Sequence, residues 1–150
     1  MKEDSFLERY RSGRQDLPPA LVCEVYSSAL IYWDCSDVLR GHPRPDKCFA
    51  WNQTVAALHE DFLAPSLSTV QAALLSLTGR PTSSITGNTI NCGRTVALAH
   101  SLGLNRDPRH WRITDGEKRL RVRLWWGVLV HDCWLVAKRL LDFPAESAAE

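Results

Sequence analysis

The chain has 150 residues, 45% of them hydrophobic and 23% charged, with a formal net charge of +1. That size and mixture fit one ordinary globular domain, and the near-neutral charge argues against nucleic acid or an anionic membrane as the main partner. The polar start "MKEDSFLERYRSGRQD" lacks a signal peptide's apolar core, and "LWWGVLV" falls far short of the roughly 20 residues of a membrane helix.

Helix punctuation then runs the length of the chain. Residues 4–11 suit a short helix ended by Gly13. Pro18 and Pro19 open "ALVCEVYSSALIYW", since proline suits a first helical turn whose N–H needs no partner. Leu21, Val25, Ala29 and Tyr32 recur there at helical spacing as the expected inward face. "RGHPRPD" is a turn-rich connection, and "KCFAWNQTVAALHEDFLA" resumes a helix with Phe49, Val55, Leu58 and Phe62 inward. Ser68 and Gln71 stand at capping-box spacing before "TVQAALLSLT", which Gly79 and Pro81 stop. Residues 82–89 read as a polar loop. Cys92, Val96, Ala99 and Gly103 follow one track of the next helix, which Gly103 closes and Pro108 keeps from resuming. No alternating strand pattern, Asn-Gly hairpin, repeat or dividing linker occurs in the sequence. The fold class is all-α, an irregular helical domain of about six helices.

"GEKRLRVRLWWGVLVHDCW", residues 116–134, follows a second capping box at Thr114 and Glu117. Cations beside aromatic rings can make a nucleic-acid surface, but they then need a shared face. On a helical wheel Arg119, Arg121 and Arg123 diverge and all precede the tryptophans. Leu120, Leu124, Val128 and Leu135 line one side, and Trp125, Leu129 and Val136 another. Trp126, Val130 and Cys133 take most of the remaining arc, while Arg121, Asp132 and Arg139 share one polar stripe. A helix apolar nearly all round from 124 to 136 is expected to lie buried between its neighbours.

Chemical motifs are mostly absent. The sequence holds no Walker loop, G-x-G-x-x-G, G-x-S-x-G or H-E-x-x-H. Cys23, Cys35, Cys48, Cys92 and Cys133 are an odd, scattered set that reads as reduced thiols of a soluble intracellular chain. Cys35, His42, Cys48 and His59 match no compact zinc spacing. One enzymatic alternative is a metal-dependent phosphohydrolase of the HD class, with His100 or His110 first, His131-Asp132 as the adjacent pair and Asp142 last. The competing structural reading makes Asp132 a buried acid paired with an arginine, and it is preferred. No residue is assigned as catalytic, cofactor-binding or metal-binding, and no cofactor is expected in this chain.

Several segments in order resemble the middle homology (regulatory) region of fungal zinc-cluster transcription factors, also called the xylanolytic transcriptional activator regulatory domain. The stretch "GRTVALAHSLGLNRDPRHWRITDGEKRLRVRLWWGVLVHDCW" matches that family's pattern at Gly93, Arg94, Ala99, Leu102, Gly103, Leu104, Arg106, Asp107, Pro108 and Trp111. It matches again at Glu117, Arg119, Arg123, Leu124, Trp125, Trp126 and Asp132. "PSLSTVQAALLSL" and "FLERYRSGRQDLPPALVCEVYSSALIYW" are similar to the family's upstream helices. The resemblance implies regulation of DNA-templated transcription, in the nucleus, through contacts with other domains of the factor, a dimer partner or coregulators, or with a small effector. Two departures qualify it. Nothing matches the family's six-cysteine zinc cluster, so zinc binding and DNA reading would reside in a module outside this chain. After Trp134, "LVAKRLLDFPAESAAE" replaces the family's Gly-Arg-Pro loop and further helices. Residues 1–150 are therefore expected to be a truncated part of a larger helical regulatory domain. A standalone helical interaction module is the other alternative.

The apolar helix around residues 124–136 would then lack some of its partners. The chain on its own is expected to self-associate, or to hold a loosely packed helical state that binds ANS. Analytical ultracentrifugation and dye fluorescence check this. A monodisperse monomer that unfolds cooperatively without binding dye overturns it.

Overall fold

The tryptophan-rich stretch does not lie at the centre. That place belongs to "LSTVQAALLSLTG", α4 (Leu67–Gly79). The computed structural model describes residues 3–12, 17–79 and 85–141. The other helices are α1 (Glu3–Arg11), α2 (Pro19–Ala29), α3 (Lys47–Asp61), α5 (Ile85–Ser101) and α6 (Asp115–Leu141), with a 3₁₀ segment at Leu30–Cys35 and no strand among the described residues. The all-α expectation holds.

Helix α4 touches α2, α3, α5 and α6. Thr69, Val70, Ala72, Ala73 and Ser76 are all buried in it. Distances between helix axes, about 8–10 Å, depend on the side chains at the contact, so small residues admit neighbours on several sides. Val70 joins Leu98, Ala99, Leu104, Leu124 and Val128 in one core. Ala72, two residues on and pointing away from it, joins Ala20 and Leu21 in a second core. The helix starts earlier than its sequence suggests. The Ser66 N–H donates to Thr69 Oγ1 at 2.9 Å, and the Thr69 N–H returns to the Ser66 carbonyl at 3.1 Å. The cap is thus Ser66 with Thr69, and the Ser68 hydroxyl lies 2.7 Å from that of Ser66 instead of capping.

Polar residues carry much of the α2–α3 contact. The Ser27 and Thr54 hydroxyls lie 2.6 Å apart, and Thr54 Oγ1 donates to the Ala50 carbonyl at 2.9 Å. Both residues are buried, as are Glu24 and Leu30. The expected inward face of α2 is therefore corrected. Leu21 is buried and Val25 half-buried, but Ala29 and Tyr32 are exposed. The face actually follows Ala20, Leu21, Glu24, Ser27 and Leu30, and the switch to 3₁₀ geometry at Leu30 breaks the 3.6-residue phase that selected Tyr32. On α3, Val55, Leu58 and Phe62 are half-buried, but Phe49 faces solvent. Helix α1 is attached at the surface: Phe6 reaches the second core, and the Tyr10 hydroxyl lies 2.5 Å from that of Tyr26. The expected stop at Gly13 lies outside the described residues.

Helix α5 already runs at Ile85, so the expected loop at 82–89 is helical from residue 85, and 82–84 lie outside the described residues. Its Cys92 and Ala99 are buried and Val96 half-buried, as the sequence track requires. Gly103 takes φ 68°, a left-handed conformation that costs other residues a Cβ clash. The N–H groups of Gly103 and Leu104 then reach the carbonyls of His100 and Ala99, both at 2.9 Å, a Schellman closure.

Arg121 fixes the turn that follows. Its Nε donates to Glu117 Oε1 at 3.0 Å, one terminal nitrogen donates to the Leu102 carbonyl at 3.1 Å, and the guanidinium lies 5.0 Å from the Trp111 ring centroid. It belongs to the packed side of α6 and not to a solvated stripe. Because Glu117 faces Arg121, only half of the expected capping box closes, through the Glu117 N–H to Thr114 Oγ1 at 3.2 Å. Arg121→Ala is expected to destabilise the domain by about 2–3 kcal/mol, the scale of lost hydrogen bonds to a charged group. Arg123→Ala should stay within about 0.5 kcal/mol. Urea unfolding of the two variants checks the contrast, and equal losses would overturn the role given to Arg121.

Candidate interaction surface

Helix α6 has two unlike sides. Leu124 and Val128 enter the first core, with Leu120 and Trp125 packed against it. A Cβ built at Gly127 would lie 3.0 Å from Leu74 Cδ1, which marks the closest approach to α4. On the other side Trp126, Val130 and Trp134 are 63%, 59% and 61% exposed. The expectation of burial all round is corrected: α4 and α5 pack against α6, yet Trp126, Val130 and Trp134 stay more than half exposed. Asp132 is exposed as well, which overturns its reading as a buried acid. The side chains of Leu135, Val136 and Arg139 lie outside the described ones.

The amino-terminal half of α6 carries a different surface. Pro108, Arg109, Lys118, Arg119, Val122 and Arg123 line an open cleft of about 430 Å³. Pro108 and Arg109 reach it because the Gly103 closure folds the following turn back beside α6. The Arg109 backbone N–H donates to Asp107 Oδ1 at 3.0 Å, and its guanidinium meets Oδ2 at 2.6 Å. That backbone bond first, and the guanidinium second, hold the Asp107 carboxyl below its ordinary value. The sequence shows the arginines of α6 but not the turn residues that complete the cleft.

The residues considered for catalysis or metal binding stay apart. His100 meets the Trp125 ring edge-on, with centroids 5.3 Å apart. His131 is half-buried, with Nε2 3.2 Å from the Thr78 hydroxyl. His110, Cys35, His42, Cys48 and His59 are exposed on the surface, and Asp142 lies outside the described residues. Among the described residues no three His, Cys, Asp or Glu side chains converge as a metal site requires. All five cysteines are free thiols. Burial, and to a lesser extent the nearby Asp132 charge, push the Cys92 thiol up to about 11, which makes it a poor nucleophile near neutral pH. No helix among the described residues is long and apolar enough to cross a membrane.

The fold defines an all-α domain with an exposed apolar row on its last helix, and comparison with known proteins makes the class specific. The fungal specific transcription factor domain family matches residues 1–138. An uncharacterized transcriptional regulatory protein of Schizosaccharomyces pombe is 36% identical over 129 residues, covering 86% of this chain and 20% of that protein. The transcriptional activator protein DAL81 of Saccharomyces cerevisiae is 38% identical over 138 residues, covering 89% of this chain and 14% of that protein. The chain thus spans a small part of the relatives it matches, and no solved structure matches it. It belongs to the fungal specific transcription factor domain family.

Burial lowers the pKa of His131, so protonation favours the unfolded chain. The stability this neutral imidazole contributes is complete above its unfolded pKa of about 6.5 and is lost as pH falls through the lower folded value. Unfolding curves at pH 7.5 and below pH 6 should therefore differ more for the native chain than for His131→Gln. An equal pH response in both would overturn this assignment.

Proposed function

We propose that the chain is the regulatory, middle-homology part of a fungal zinc-cluster transcription factor and acts in the nucleus by binding other proteins. Residues 1–150 form part of a larger helical regulatory domain. They carry no catalytic residue, metal or cofactor, and DNA is reached through a zinc-cluster module outside this chain. Support comes from family membership and from relatives named as a transcriptional regulatory protein and a transcriptional activator.

The observation that carries the mode of action is the exposure of Trp126 and Val130 one turn apart on α6. Large apolar side chains held outward on a helix whose other side is core mark a contact surface, and tryptophan is enriched where binding energy concentrates. Another domain of the factor, a dimer partner or a coregulator fits such a surface. No comparable geometry supports the phosphohydrolase, whose candidate ligands do not meet among the described residues.

A strain carrying Trp126→Ser and Val130→Ser at the native locus is expected to reproduce the transcript changes caused by deleting the gene, while the purified variant keeps its helical content. RNA sequencing of the wild-type, deletion and variant strains reads this out. A deletion that leaves transcripts unchanged overturns the regulatory role. A variant profile identical to wild type overturns the assignment of that role to the α6 row.

A further inference from the structure

The cleft beside the amino-terminal half of α6 is distinct from the apolar row, and we propose that it binds an acidic peptide segment carrying an apolar side chain between its carboxylates. This rests on the reading of the chain as a contact module and names the chemistry of one partner.

The lining sets that chemistry. Half-exposed Val122 and buried Pro108 supply an apolar floor, and Arg109, Lys118, Arg119 and Arg123 rim it. The four cations are not equivalent. Arg109 is paired with Asp107 at 2.6 Å, and Lys118 with Asp115 at 3.6 Å. Arg119 and Arg123 have no carboxylate partner among the described residues; Arg123 Nε donates to the Arg119 carbonyl at 3.3 Å. Contrary to the divergence expected of the three arginines, these two stand four residues apart and share one helix face, where like charges repel. A chain with 18 basic and 17 acidic side chains has carboxylates enough to neutralise such a pair, yet Asp107, Asp115 and Glu117 pair with Arg109, Lys118 and Arg121 instead. An incoming carboxylate would relieve the repulsion and accept charge-assisted hydrogen bonds from either guanidinium. The apolar floor calls for a side chain beside it, which a bare anion cannot supply.

Nucleic acid fits less well. A phosphate track needs cations in succession and aromatic faces on which bases stack. Here two guanidiniums without carboxylate partners flank an aliphatic floor, and no aromatic ring is among the residues that line the cleft.

Fluorescence anisotropy with the full 150-residue chain tests the assignment. The probe is a labelled helical peptide with Asp or Glu at positions four apart and Leu and Phe between them. Arg119→Glu/Arg123→Glu should weaken its binding at least about tenfold, and raising salt should weaken binding to the native chain. Arg119→Gln/Arg123→Gln, which neutralises without reversing, should give a smaller loss and serves if the reversed variant does not fold. No binding, or equal binding of the same peptide with Gln for every acid, overturns the proposal. So does tighter binding of labelled duplex DNA at equal salt, or a dimer of the chain that Arg119→Glu/Arg123→Glu dissociates while the peptide does not bind. Each of these failures leaves the transcript response to Trp126→Ser/Val130→Ser as it was, so the two readings fall separately.

Discussion

The steric constraint on α4 governs this architecture. One helix touches four others, and it does so with Thr69, Ala72, Ala73 and Ser76 at its buried positions. Larger side chains there would hold the neighbours apart, and interiors as dense as organic crystals leave no room for such an adjustment. The two cores follow from this choice. Val70 serves the α5–α6 side and Ala72 the α2 side, so each half of the domain closes on an opposite face of the same helix. A helix that holds both halves together cannot also present a broad surface. On α6, at the periphery, the large side chains of Trp126 and Val130 stay exposed, where they can meet something else.

The path from local chemistry to surface runs through the turn after α5. Gly103 permits a left-handed step, the backbone closes on His100 and Ala99, and Arg121 ties the turn to α6 through Leu102 and Trp111. Pro108 and Arg109 are thereby brought beside Arg119 and Arg123. Residues ten or more positions apart in the chain share one cleft because a glycine and an arginine set the turn between two helices. The outer face of α6 then reads as two zones, cationic toward its start and aromatic toward its middle, each suited to a different contact.

Much of the fold was legible in the sequence, for physical reasons that also explain the misses. Proline at a first turn, glycine at a closure and apolar residues at helical spacing mark element type well, and α2, α5 and α6 follow those marks. Inward faces were harder. Glu24, Ser27 and Thr54 are buried, and a pattern built on apolar residues cannot select them; for Ser27 and Thr54 the burial rests on hydrogen bonds between elements distant in sequence. Tyr32 and Phe49 mislead for the converse reason: they are aromatic, yet they fall on exposed sides of their elements. The wheel of α6 correctly located Leu124 and Val128 but not the exposure of Trp126, since all-round apolarity says how much surface a helix could bury and not how many neighbours it has. Of the interaction surface, the arginines could be read and the cleft could not, because Pro108 and Arg109 arrive by tertiary folding.

The surface attachment of α1 bears on how the domain opens. Phe6 packs on the second core, and the half-exposed Tyr10 and Tyr26 meet through their hydroxyls and ring edges to help hold it to the rest. Native proteins open in cooperative units whose free energies run from near zero up to that of global unfolding. With no described side chain of α1 in the buried class, α1 stands at the low end of that scale and α4, clasped on opposite faces by two cores, at the high end. Amide hydrogens of α1 therefore exchange through detachment of one helix, while those of α4 wait for both cores to come apart together.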